Sequence, residues 1–212
     1  MFNDQYELTK AVLEGRKTQT RRIIKIPRTF KGKDMGGFYV YTRETDSEIA
    51  MGTCLHDADG FGFEGGEILP RYKVGEIVAI AQSYKDLGYI ETALDISPKD
   101  WRIVRGTLGK SKGWDNKMFV RAEACVHQIK ITNVWIEYLQ DISDEDCLAE
   151  GIYKGQCGSI DTHLMDAYYY RGDIQPYCTP RIAYANLIDK ISGKGTWESN
   201  PLVFVYEFEL VK

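Results

Sequence analysis

The chain has 212 residues, 43% hydrophobic and 27% charged, with 27 basic against 31 acidic side chains and a formal charge of −4. That composition is ordinary for a globular protein and excludes collagen-like or disordered classes, and equally a protein held to nucleic acid by bulk charge. The opening MFNDQYELTK lacks a signal-peptide pattern, the longest apolar stretches are about a quarter of a membrane span, and five scattered cysteines suit reduced thiols, which predicts a cytoplasmic protein without a membrane partner.

Residues 4–14 predict a helix: Asn3 or Asp4 can cap it, Leu8, Ala11, Val12 and Leu13 form an apolar stripe, and Gly15 supplies a left-handed stop. Short strands are expected over 21–26 and 38–42. The Gly- and Asp-rich stretch 45–70 has little periodicity and reads as a long excursion from the core. Residues 76–82 predict a strand, its Ile77, Val78, Ala79 and Ile80 run short enough to be buried on both faces. Residues 128–139 predict a long strand rich in β-branched and aromatic side chains.

Ser143 then starts a short helix with Asp144, Glu145 and Asp146 in its first turn, and Gly151 ends it. Residues 152–178 carry no clear period, and Tyr168, Tyr169 and Tyr170 are their most distinctive feature. Thr179 and Pro180 make a cap and first turn for a helix to about Ile191. The chain closes on a strand over 202–211, with Leu202, Phe204, Tyr206, Phe208 and Leu210 alternating onto one face. Neither repeats nor linkers divide the chain, so the expectation is one domain, α+β but mainly β, with inserted helices and long loops.

Charge is unevenly distributed. Residues 10–33 hold nine basic side chains against Glu14 alone, 99–121 hold seven against Asp100 and Asp115, and 137–150 hold six acids and no base. A local anion site fits this better than a charged coat, although a solvated basic face gives the same pattern. Several formal motifs fail. Residues 60–65 spell a dinucleotide-binding pattern without its flanking strand and helix, and read as a flexible loop. Asp57 and Asp59 begin like a calcium loop, but Phe61 and Ile68 stand where oxygen ligands are needed. Cys54 with His56, and Cys157, His163 and Cys178, lack paired short spacing, so neither a metal nor a cofactor is expected.

Two features carry chemistry. Residues 15–22 (GRKTQTRR) place a lysine, two threonines and three arginines just after a helix stop, where Arg and Lys suit phosphate or carboxylate. Lys17 and Thr20 are three apart, so in a regular strand they would point to opposite faces and the backbone must turn for them to act together. Glu150 closes its short helix, where a carboxylate opposes the helix dipole by about 0.3–1 kcal/mol and Asp146 adds like-charge repulsion. Either Glu150 is fully solvated or a distant cation meets it, and the 16–22 cluster is the natural donor.

Gly15, Lys17 and Arg22 fit the G-x-K-x-x-x-x-R signature of ASCH domains, and the chain resembles the larger, phage- or prophage-type members of that family. The resemblance rests on 15–22, on 72–80 (YKVGEIVAI), on 131–152 (ITNVWIEYLQDISDEDCLAEGI), and on Trp197 with Asn200-Pro201 before the last strand. It implies a PUA-like β-barrel core over 1–212, with insertions at about 28–70 and 153–196. It also implies a cleft that binds RNA or a modified nucleoside through Gly15, Arg16, Lys17, Thr20, Arg21, Arg22 and Glu150. Small family members that hydrolyse N4-acetylcytidine use a lysine, a threonine and a glutamate, which fall on Lys17, Thr20 and Glu150 here and imply an amidohydrolase as the alternative. Arg16 and Arg21 are expected to serve phosphate or fold contacts. The basic 99–121 stretch is expected to extend an RNA track, with Trp101, Trp114 or Tyr168–Tyr170 as stacking platforms or ordinary packing. A third class, a phage-related interaction module, would have an exposed apolar patch in the insertions and no ligand-sized cleft.

Overall fold

The computed structural model of the chain describes residues 2–30, 32–56, 62–87, 112–159 and 163–211. The N-terminal helix is broken in two. Asn3 caps a single 3-10 turn over Asp4–Tyr6, Glu7 adopts a left-handed backbone (φ 50°), and α1 follows over Leu8–Leu13. Gly15 then turns the chain with φ +71° into strand β1, Gln19–Ile23. A two-residue strand β2 (Thr29–Phe30) leads to β3 (Lys33–Thr42), β4 (Ile49–His56) and β5 (Gly62–Ile68).

These last four strands form a second antiparallel sheet in simple sequence order. The expected excursion over 45–70 is therefore mostly paired strand. Its glycines hid the pattern: Gly52 leaves space that the Tyr39 ring occupies, and a Cβ there would meet that ring at 2.3 Å. Likewise the 62–65 part of the glycine-rich motif lies in β5 and is no flexible loop. Asp57–Gly60 and Phe61 lie outside the described residues.

The main sheet has the order β1-β10-β7-β6, all antiparallel, and curls into a half-barrel. Here β6 is Ile77–Ala79, β7 is Gln128–Tyr138 and β10 is Leu202–Val211. The expected doubly buried β6 is instead a short edge strand with Ile77 exposed; only Ile80, just past it, is fully buried. The doubly buried strand is β10. Leu202, Phe204, Tyr206 and Phe208 enter one core with Ile80, Ile129, Ile131 and Met51, while Val203 and Val205 enter another. Each such side chain contributes about 1.5–3 kcal/mol of transfer free energy, which makes β10 the spine of the molecule.

Between β7 and β10 lie α2 (Asp144–Ala149), the hairpin β8 (Tyr153–Cys157) and β9 (Met165–Tyr169), α3 (Pro180–Ser192) and the single turn α4 (Thr196–Ser199). Ser143 caps α2 by accepting from the Asp146 amide, and Thr179 caps α3 by accepting from Ile182. Arg181 fixes α3 in place, donating to the carbonyls of Gln140 and Ile142 (both 2.6 Å) and lying over the Trp197 ring. That clamp ties α3 to the segment that leads into α2. Among the described residues no helix is long and apolar enough to cross a membrane.

Candidate functional site

Lys17 and Glu150, 133 residues apart in sequence, form a buried ion pair. Local backbone geometry brings them together. After the Gly15 turn, the amides of Arg16 and Lys17 both donate to the Ala11 carbonyl, and Thr18 donates to the Ala149 carbonyl at 2.9 Å. Residues 16–18 are thus docked between the end of α1 and the end of α2 before β1 begins. Gly151 permits the approach, since at φ +109° a Cβ would meet Leu8 at 3.1 Å and Lys17 at 3.8 Å. The turn needed for Lys17 and Thr20 to share a site is this docked segment.

The Lys17 ammonium has three donors, and all three are used. It donates to the Gln19 carbonyl (2.7 Å), the Glu150 carbonyl (2.8 Å) and a Glu150 carboxylate oxygen. Burial pushes its pKa below the ordinary lysine value, and the Glu150 charge opposes that shift. The other Glu150 oxygen faces Arg21 Nη1 at 3.3 Å. Glu150 is therefore not a solvated carboxylate, and two cations override the unfavourable dipole at its helix end.

Arg21 is the hub of the cluster. Its side chain is fully buried and meets Glu137 through Nε (2.7 Å), Asp146 through Nη2 (3.0 Å) and Glu150 through Nη1. Gln19 links the same groups, accepting from Arg21 Nη1 (3.2 Å) and donating to Asp146 (3.0 Å), while Trp135 Nε1 holds the second Glu137 oxygen (2.7 Å). With three carboxylates around it, Arg21 serves the fold and presents no unpaired charge to a phosphate.

A cleft of about 80 Å³ lies over this cluster, at the edge of β1 that β10 does not cover. Lys17, Thr20, Arg21, Arg22 and Glu150 all line it, facing Phe2 from the N-terminus and Tyr184, Leu187, Ile188 and Ile191 from α3. The Thr20 hydroxyl makes no hydrogen bond among the described residues. A wider hollow of about 270 Å³ shares the Phe2, Thr20 and Arg22 wall and continues past Arg71, Tyr72 and Tyr206. Gly15 and Arg16 are not among the described residues lining either space. Gly15 acts through its backbone turn, and Arg16 pairs locally with Glu14 at 2.5 Å.

Sequence reasoning missed Gln19, Glu137, Asp146, Phe2 and Tyr184. The acidic run 137–150 facing a basic run 16–22 was the available signal for the carboxylates; nothing local marked Phe2 or Tyr184. Of the expected RNA track, Trp101 and the rest of 99–111 lie outside the described residues. Within the described part, Lys117 is tied to Asp4 (2.7 Å) and Thr9 (3.0 Å), and Trp114 packs on Tyr84. Tyr170 is fully buried and cannot serve as a stacking platform, whereas Tyr169 stacks on Tyr153 with ring centres 5.7 Å apart. Among the described residues no group of three His, Cys, Asp or Glu side chains is placed to hold a metal ion.

Fold and cleft together define a mainly β protein with a half-barrel sheet and a buried cation–carboxylate cluster at the sheet edge. No family model, curated protein or solved structure matches the chain.

Proposed function

We propose that this is an ASCH-like protein with a PUA-like core, and that its cleft binds the base of a nucleoside, free or within RNA. The observation that carries the reading is the convergence of Lys17, Thr20, Arg22 and Glu150 on one small cleft from segments 133 residues apart. The cleft sets apolar side chains (Phe2, Leu187, Ile188, Ile191) against a polar wall of Lys17, Thr20, Arg22 and Glu150, so a planar heterocycle can be packed on one side and hydrogen-bonded on the other. Its size suits one ring rather than a whole nucleotide. The wider hollow beyond Thr20 and Arg22 offers space for a sugar, with Arg22 and Arg71 as cationic neighbours for a phosphate and Tyr72 as a stacking face.

Calorimetric titration of cytidine, N4-acetylcytidine and short single-stranded RNAs tests this. Saturable binding, weakened when Thr20→Val or Arg22→Ala narrows the polar wall, is the expected result. For RNA, affinity should also fall with salt. Absence of binding by all of these at low salt rejects the reading.

Hydrolysis of an N4-acylated cytidine is the second reading, favoured by the unbonded Thr20 hydroxyl and the desolvated Lys17 amine. In that scheme Thr20 Oγ1 attacks the acyl carbon as a neutral Lys17 takes its proton. Lys17 then returns the proton to the departing cytosine amine as the C–N bond breaks, and water hydrolyses the threonyl ester. The three acceptors around Lys17 Nζ suit the cation, since a neutral amine has only two donors, and this places binding ahead of hydrolysis. Cytidine release from N4-acetylcytidine, abolished in Lys17→Ala and Thr20→Ala, would reverse that order.

A further inference from the structure

Tyr184 stands in the cleft wall with a polar atom that is buried and that the ion-pair cluster leaves unused. The residue is 2% exposed, yet its hydroxyl has no hydrogen-bond partner among the described residues. Buried hydroxyls are almost always paired, so an orphan in a cleft wall demands a physical reason. Glu150, the carboxylate whose charge acts most strongly on this phenol, has one oxygen on Lys17 and the other on Arg21, and neither accepts from the Tyr184 hydroxyl. Nor is the ring loosely placed. It meets Trp197 edge-on with centroids 6.2 Å apart, and α3 is clamped by Arg181 to the carbonyls of Gln140 and Ile142. Tyr184, Leu187, Ile188 and Ile191 follow helical spacing, so one face of α3 forms the wall opposite Lys17 and Thr20.

We propose that the Tyr184 hydroxyl is a ligand-recognition group, donating a hydrogen bond to an acceptor atom (a carbonyl oxygen or unprotonated ring nitrogen) of a planar heterocycle seated between α3 and β1. The inference rests on the reading that the cleft holds a base, and it adds the polar group that selects among bases. Burial and the Glu150 charge hold the phenol protonated well past neutral pH, so it acts as a donor and not as a base. A ligand without an acceptor at that position would leave the hydroxyl orphaned and gain nothing from it. Selectivity then arises from the difference between a satisfied and an unsatisfied buried donor.

The test pairs ligand affinity with the stability of the unliganded protein in Tyr184→Phe, using cytidine and N4-acetylcytidine as probes by calorimetry. The expected result is binding by the wild type, a Kd raised roughly tenfold or more in Y184F, and an unliganded melting midpoint unchanged or higher. The last part follows because phenylalanine removes an unpaired buried hydroxyl while keeping the ring. Equal affinity in the two proteins overturns the role of Tyr184 and leaves the cleft reading standing. A clearly lower midpoint in unliganded Y184F also overturns it, since the hydroxyl would then have a structural partner. If neither probe binds the wild type this inference falls, and if short single-stranded RNAs fail as well the base-binding reading falls with it.

Discussion

Neutralising either member of the Lys17–Glu150 pair should be expensive, and neutralising both should cost less than the sum. Glu150→Gln leaves Lys17 at 2% exposure with two carbonyl acceptors and no counter-charge. Lys17→Met leaves the carboxylate to Arg21 at 3.3 Å and strands the carbonyls of Gln19 and Glu150. Breaking a buried pair in this way costs about 3–5 kcal/mol. For a chain of this size that is a fall in melting midpoint of roughly 6–20 °C, at about 2–4 °C per kcal/mol. In the double variant neither charge is left unmatched, so the combined loss should undershoot additivity by about 1–3 kcal/mol. Urea denaturation at pH 7, followed by tryptophan fluorescence, measures all four proteins. Single losses below about 1 kcal/mol, or strict additivity, would refute the buried, coupled pair on which the site is built.

Other outcomes follow from the same buried network and its neighbours. Arg21→Met should destabilise by about 3–5 kcal/mol, because Glu137, Asp146 and Glu150 lose a shared buried cation, whereas exposed Arg16→Ala should change chemical-denaturation stability by no more than about 0.5 kcal/mol. Stability should be lost at alkaline pH. Burial pushes Tyr170 up to about 12 and holds Tyr184 well above its ordinary 10.0, so the unfolded chain releases these protons first. Their contribution is complete below pH 10 and declines as pH climbs toward the folded values, which tyrosinate absorbance and far-ultraviolet dichroism should show as one coincident transition. At the acid end, hydrogen bonds from Lys190, Tyr170 and the Gln175 amide hold Asp173 well below its ordinary 3.8. That contribution is present above pH 3.8 and lost as pH falls through the folded value. Asp173→Asn should therefore unfold with a shallower acid dependence than wild type, measured by denaturant midpoints between pH 2 and 6.

Several features were legible in the sequence because local chemistry fixes them. The Ser143 and Thr179 caps, the Gly15 and Gly151 turns and the long strands over 128–138 and 202–211 depend on residue types within a few positions. So did the anomaly of Glu150, an acid at a helix end with no local compensation. Partnership was beyond local reach. Alternation in β10 marked one buried face, but both are buried because α2 and α3 cover the second. Glycine-rich β5, and β4 with Gly52 at its centre, gave no periodic signal, since there it is cross-strand fit that specifies the strand. The run at 77–80 read as interior, yet it lies at the sheet edge because, among the described residues, no strand pairs with β6 on the side away from β7.

The sequence alone determined that a cationic segment follows the first helix stop and that an acid sits unfavourably before Gly151. Only the tertiary structure decided that these meet, that Arg21 is consumed by three carboxylates, and that Tyr184 completes the wall with its hydroxyl unspent. The physical reason is range. Caps and turns are settled over a few residues, whereas a buried charge is tolerable only where the whole chain has delivered its partner.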